Sequence, residues 1–264
     1  MSDNLRHTDY QQSNYRSIAL FLFFSFFIPL ICIILLETCP VFHSGISNLI
    51  LFGIEGTSPF LAVFIVLWIQ GGRKKVQLEL HKKYFNNLSI KYVFLAIVIP
   101  LLILTLAKLT ILCMYPKESF LHPITMKKLL IISWALIAEE LGWRGFLQEK
   151  LDSILPTVLV PFTVGIIWAM WHYHFILSGS MSIPLLAFLF GCIFESYGYY
   201  AITRLSKGNI IPASLWHFTG NLFFNLYRFD PSWNHGDTTM YWITTLFYSL
   251  SIMIFLFTKK RFHK

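Results

Sequence analysis

Residues 18–36 read IALFLFFSFFIPLICIILL, nineteen positions without a charged side chain. A helix of that length covers about 28 Å, close to the ~30 Å hydrocarbon thickness of a bilayer. The run is too long for a signal-peptide core and ends without an Ala-x-Ala site, so it is expected to stay as an anchor. The rest of the chain has the same character. Of 264 residues, 56% are hydrophobic and 13% charged, and the mean hydropathy is +0.61. A soluble domain carries about a quarter charged residues, so a water-exposed surface cannot be built from this composition. Seven more apolar runs follow, at 48–70, 91–114, 129–148, 157–178, 182–203, 209–227 and 239–258. The expected fold is therefore all-α, a polytopic membrane bundle of about eight transmembrane helices. Glu55-Gly56-Thr57-Ser58-Pro59 interrupts the second run and predicts a break there. The chain is expected to divide into a flexible tail (1–17), N-terminal membrane helices (18–128), a core of membrane helices that holds the ionisable residues taken up below (129–227), and a last helix with a basic tail (228–264).

The net charge of +8 does not point to nucleic acid as a partner. The basic residues form short clusters between apolar runs, such as Arg73-Lys74-Lys75, Lys82-Lys83 and Lys259-Lys260-Arg261, which is how loops facing anionic lipid look. With the N-terminus inside, fourteen Lys and Arg fall on inner segments, against Lys117, Lys127, Lys128 and Arg228 outside. The chain is expected in a cell membrane of bacterial type, with both termini in the cytoplasm. Lys108 is expected to snorkel at the outer end of its span, and Trp233, Tyr241 and Trp242 to form an interfacial belt. Cys32, Cys39, Cys113 and Cys192 have no metal-type spacing and are expected as buried thiols.

A charge at mid-bilayer costs about 2.5–3.5 kcal/mol, so it needs a partner, a cavity or a function. Three runs carry such groups with helical spacing. In Glu139-Glu140-Leu141-Gly142-Trp143-Arg144, Glu140 and Arg144 are i and i+4 and can pair, which leaves Glu139 on another face as a base. A knot of both acids on Arg144 is the alternative. Trp168 and His172 share a face of the fifth run, while His174 points elsewhere and is expected at the interface. His217 and Asn221 share a face of the seventh run. Glu55 sits at the break and Glu195 in the sixth run, the latter expected to be hydrogen-bonded within the bundle. A base, imidazoles and a neutral amide near one depth are the parts that activate water and hold an oxyanion.

Glu-Glu-x-x-x-Arg, aromatic-x-x-x-His and His-x-x-x-Asn, in this order on successive spans, resemble the CPBP family. That family comprises the type II CAAX prenyl endopeptidases and bacterial relatives, including bacteriocin-processing and self-immunity proteins. Gly-Trp-Arg-Gly-Phe-Leu (142–147) and Ile-Pro-Ala-Ser-Leu-Trp-His (211–217) also resemble its flanking sequence. The resemblance covers about residues 129–225, and the first 128 residues carry no matching motif. It implies that Glu139 activates water, that Glu140 and Arg144 are the supporting pair, that His172 positions the water, and that His217 and Asn221 bind the oxyanion. Trp168 stands where the family usually has Phe and is expected to be a packing aromatic. The implied partner is a peptide or protein substrate, lipidated in eukaryotic members and delivered through the bilayer. No cofactor is required on this reading. Zinc held by Glu139, His172 and His217 is the alternative. A non-catalytic immunity or scaffold protein that binds a peptide is the competing function, whereas a transporter would predict inverted repeats that the sequence lacks.

Overall fold

In the computed structural model the described residues are 2–179, 181 and 183–259; they form helices joined by short loops, and no strand occurs among them. The long helices are α1 (Ser2–Thr38), α3 (Ser58–Tyr84), α4 (Ile90–Met114), α9 (Leu185–Leu205) and α11 (Thr239–Lys259), with α2 (Gly45–Gly56) before α3. Between α4 and α9 come α5 (Met126–Ala138), a π-helical segment (Leu141–Leu147), α6 (Gln148–Asp152), α7 (Leu159–Trp171) and α8 (Tyr173–Leu177). Helix α10 (Ile211–Leu226) precedes α11. The all-α membrane bundle is as expected.

Among the described residues four helical stretches are long and apolar enough to cross a membrane: Gln12–Thr38, Ile90–Met114, Leu159–Leu177 and Leu185–Leu205. The pair α2 and α3, bent by 65° at the break around Thr57, makes a fifth if the two helices form one broken span. Up to five spans thus stand on length and composition, fewer than the eight expected. The other three runs are helical and pack in the same bundle, α10 on α4 and α5, and α11 on α4 and α9. The 129–148 run is interrupted at Glu139 and α10 has 16 residues, whereas α11 is 21 residues long and its side chains are described only as far as Ile254.

The stretch 1–17, expected as a flexible tail, is helical from Ser2, and Met1 lies outside the described residues. Asn14 is buried, donates to Ser153 Oγ at 3.0 Å and accepts from Lys150 Nζ at 2.9 Å. Gln70 Nε2 donates to Ser17 Oγ at 2.7 Å. Asn14 and Ser17 of α1 thus dock on α6, the turn after it and α3.

These bonds belong to a basic end of the bundle. Lys82 and Lys83 pair with Glu149, and Arg204 meets Asp152 at 2.5 Å. Asn209 Nδ2 donates to the carbonyls of Tyr84 and Asn86. Burial works against charge on Glu149, but the two lysines outweigh it and hold its carboxyl below the usual range. The loops expected on one side of the membrane therefore do meet. Lys260, Arg261 and Lys264 lie outside the described residues.

At the opposite end Lys108 does not snorkel. It is fully buried, and its ammonium donates to Glu118 Oε1 at 3.0 Å and to the Tyr227 carbonyl at 3.1 Å. A carboxylate in the 115–125 loop comes to the lysine, so the charge is paired in place. Trp233 and Trp242 are exposed as a belt requires, but Tyr241 is buried. Cys32 and Cys192 are buried, Cys39 is half-buried and Cys113 is exposed on α4; all four are free thiols.

Candidate active site

Helix α5 ends at Ala138, and Glu139 leaves the helical path with φ −120° and ψ −42°. Its carbonyl accepts from both Gly142 N (2.9 Å) and Trp143 N (3.0 Å) as the backbone widens into the π-helical segment. Such widenings break the side-chain row of a helix and occur frequently at functional sites. Here the widening separates the two adjacent acids. Glu139 is half-buried and lines a cavity, whereas Glu140 is 1% exposed and faces the packed core. Gly142 makes the turn possible in this setting, because a Cβ there would lie 2.6 Å from Pro59 Cβ and 2.9 Å from the Pro59 backbone. The helix break at 56–59 is thereby pressed against the acid-bearing segment.

Glu139 is anchored by two indoles. Trp168 Nε1 donates to its Oε2 at 2.8 Å and Trp143 Nε1 to the same oxygen at 3.3 Å. Indole N–H is a donor only, so both contacts require an acceptor oxygen and leave Oε1 for another ligand. Trp168 is therefore more than the packing aromatic expected. Its indole N–H was the available signal, since a buried Trp needs an acceptor.

Glu140 holds the support. Its Oε2 lies 3.3 Å from Arg144 Nε, a charge contact rather than an aligned hydrogen bond. Its Oε1 accepts from His217 Nδ1 at 2.8 Å. The Arg144 guanidinium lies 4.0 Å from the Tyr199 ring and 4.6 Å from the Trp168 ring, and donates to Ser196 Oγ at 3.3 Å. The Glu140–Arg144 pairing follows the sequence expectation; the bond to His217 was not legible there.

His172 Nδ1 sits 2.8 Å from the Trp168 carbonyl. A carbonyl only accepts, so Nδ1 carries the proton and Nε2 of the neutral ring is an acceptor. His217, with Nδ1 engaged by Glu140, has Nε2 available to a ligand. The rings of His172 and His217 flank Trp168, at 5.7 Å and 5.6 Å between centroids.

Glu139, Trp168, His172, His217 and Asn221 all line one cavity of about 540 Å³. It extends to Lys128, Met181, Ile183 and Asp230, which lie at the end of the bundle away from the basic loops. Lys82, Lys83, Lys150 and Arg204 are not among its walls. Trp143, Leu147, Ile210 and Trp216 are buried and are not among its walls.

The structure brings the sequence-expected residues together except at the periphery. His174 is not interfacial: it is fully buried and its Nδ1 meets Glu55 Oε1 at 2.5 Å. Glu55 accordingly pairs beside the cavity instead of lining it. Glu195 and Tyr248 do line it and were not expected to. Among the described residues no group of three His, Cys, Asp or Glu side chains is placed to hold a metal.

Residues 120–223 match the family described as Type II CAAX prenyl endopeptidase Rce1-like. The matched segment contains all three motifs, and it supports the resemblance to CPBP proteases drawn from them. Such a family implies, in general terms, a membrane-embedded protease acting on a peptide or protein. No curated protein matches the chain.

Proposed function

We propose that this chain, similar over residues 120–223 to a family of membrane proteases, hydrolyses a peptide bond of a membrane-delivered peptide or protein tail by means of a Glu139-activated water. The observation that carries the reading is the convergence of Glu139, His172, His217 and Asn221 on one cavity inside the bundle. In the proposed reaction Glu139 Oε1 takes a proton from water as the water oxygen bonds to the scissile carbonyl carbon. His172 Nε2 accepts the water's second hydrogen bond and so fixes the line of attack. The carbonyl oxygen becomes an oxyanion, held by the Asn221 amide and by His217, which acts in its doubly protonated form with Nδ1 on Glu140. The C–N bond then breaks, and Glu139 returns its proton to the leaving amine. Fixed donors inside a water-poor bundle need no reorganisation during the step, which makes them effective. No metal takes part in this scheme.

If the basic end faces the cytoplasm, as the charge bias favours, the cavity mouth faces the opposite side, and substrate enters there or from the lipid. Incubating purified protein with lipidated and unlipidated peptides, and reading cleavage by mass spectrometry, tests the function. Defined fragments of either support it; intact peptides under conditions where they bind contradict it.

A further inference from the structure

The two sides of the cavity differ in chemistry. The side formed by α2 and α5 is apolar, with Phe52, Gly53, Leu130, Ile131 and Trp134. The side between α9, α10 and α11 carries Glu195, Thr244, Thr245 and the phenols of Tyr241 and Tyr248. Glu195 keeps part of its surface exposed although α9 packs against α7, α10 and α11, while Cys192, Ser196 and Tyr199 around it are buried. Its exposed surface is the part that lines the cavity. The Tyr199 hydroxyl meets its carboxylate, but the cations that feel it, Arg144 and His217, are both in contact with Glu140. Tyr248 is 4% exposed, and its hydroxyl has no hydrogen-bond partner among the described residues. That hydroxyl lies 3.6 Å from the position of a Cβ on Gly220, next to Asn221. Asp230 adds a second acid toward the mouth, where Lys128 is the basic residue. The proposed reaction uses neither Glu195 nor Tyr248.

A carboxylate among buried neighbours and a buried orphan hydroxyl are costly unless a ligand completes them. We propose that Glu195, with the Tyr248 hydroxyl, forms a subsite for a cationic group of the substrate, a lysine or arginine side chain or an amine, beside the scissile bond. The apolar α2–α5 side then takes an aliphatic or lipidated segment of the same molecule. This rests on the peptidase reading for the word substrate, but its test does not need cleavage.

The test uses Glu139→Gln protein in phosphatidylcholine nanodiscs, so that neither catalysis nor anionic lipid interferes. The probes are N-dodecanoyl-Ala-Lys-Ala-Ala-amide and its norleucine counterpart, which has nearly the same shape without the charge. The lysine probe is expected to bind at least about tenfold more tightly, as one charge-assisted hydrogen bond allows. Glu195→Gln in the same background removes the preference, and Tyr248→Phe reduces it severalfold, giving a second readout if either variant folds poorly. Equal binding of the two probes, no binding of the lysine probe, or a preference that survives Glu195→Gln overturns the subsite. Cleavage of both probes at equal rates by protein with Glu139 intact overturns the subsite and leaves the peptidase reading standing. Preference in binding without cleavage of either probe does the opposite.

Discussion

Trp168 Nε1 donates to Glu139 Oε2 at 2.8 Å, so a residue on α7 fixes the carboxylate that leads the proposed reaction from α5. Trp168→Phe keeps an aromatic ring in place and removes the donor. Turnover is expected to fall by about tenfold, with KM and folded yield nearly unchanged, because the lost interaction orients the base rather than the substrate. Steady-state kinetics on a cleaved peptide, beside a thermal unfolding curve, checks this. A fall in yield with unchanged turnover would make Trp168 a packing residue only.

The two adjacent acids should part company on substitution. Glu140→Ala or Arg144→Ala leaves an uncompensated charge in the core, a loss of about 3–5 kcal/mol for a buried pair, and folded yield should drop sharply. Glu139→Gln should fold nearly as well as the parent, since its carboxylate is half-exposed to the cavity and both indoles keep an acceptor. Yield measured by size-exclusion of detergent-extracted protein decides. Equal losses in Glu139→Gln and Arg144→Ala would mean the roles are wrongly divided.

Much of this site was legible in the residues. The i, i+4 pairs of three runs identified Glu140 with Arg144, Trp168 with His172 and His217 with Asn221, and the Gly56–Pro59 cluster announced the helix break. Helical spacing says which side chains share a face, but it cannot say which face of another helix they meet. That is why the His217–Glu140 bond and the burial of His174 against Glu55 were missed. Lys108 was misjudged for a related reason: its partner Glu118 lies in a loop whose path the sequence does not specify. The π-helical segment was also invisible, because Gly142 reads as an ordinary weak helix former until Pro59 is found against it.

Gly142→Ala follows from that contact. A methyl 2.6 Å from Pro59 Cβ must push α3 or the π-helical segment aside, at about 1–3 kcal/mol for overpacking. Since the Gly142 N–H is bonded to the Glu139 carbonyl, activity should fall further than stability. Gly165→Ala, whose Cβ would lie 2.6 Å from Ile193 Cα and 2.9 Å from the Cys192 carbonyl, is the comparison: neither Gly165 nor Ile193 lines the cavity and Cys192 alone does, so stability should fall with less effect per folded molecule. Specific activity normalised to folded protein separates the two.

Access from the end opposite the basic loops is testable in cells. Lys128→Cys or Asp230→Cys, in a chain with Cys39 and Cys113 replaced by Ser, should react with a membrane-impermeant maleimide added outside. Labelling should slow cleavage, because both positions border the cavity. Labelling only after the membrane is permeabilised would reverse the orientation.

The measurement nearest the central claim compares wild-type and Glu139→Gln protein on one cleavable peptide, with binding and cleavage read in the same membrane preparation. Gln preserves shape and an acceptor for the indoles while removing the base. The account predicts that the variant binds the peptide within about twofold of wild type, while cleavage drops by at least about 10³-fold, as expected when a group essential to the chemical step is removed. Cleavage near the wild-type rate by folded, membrane-inserted Glu139→Gln protein would contradict it.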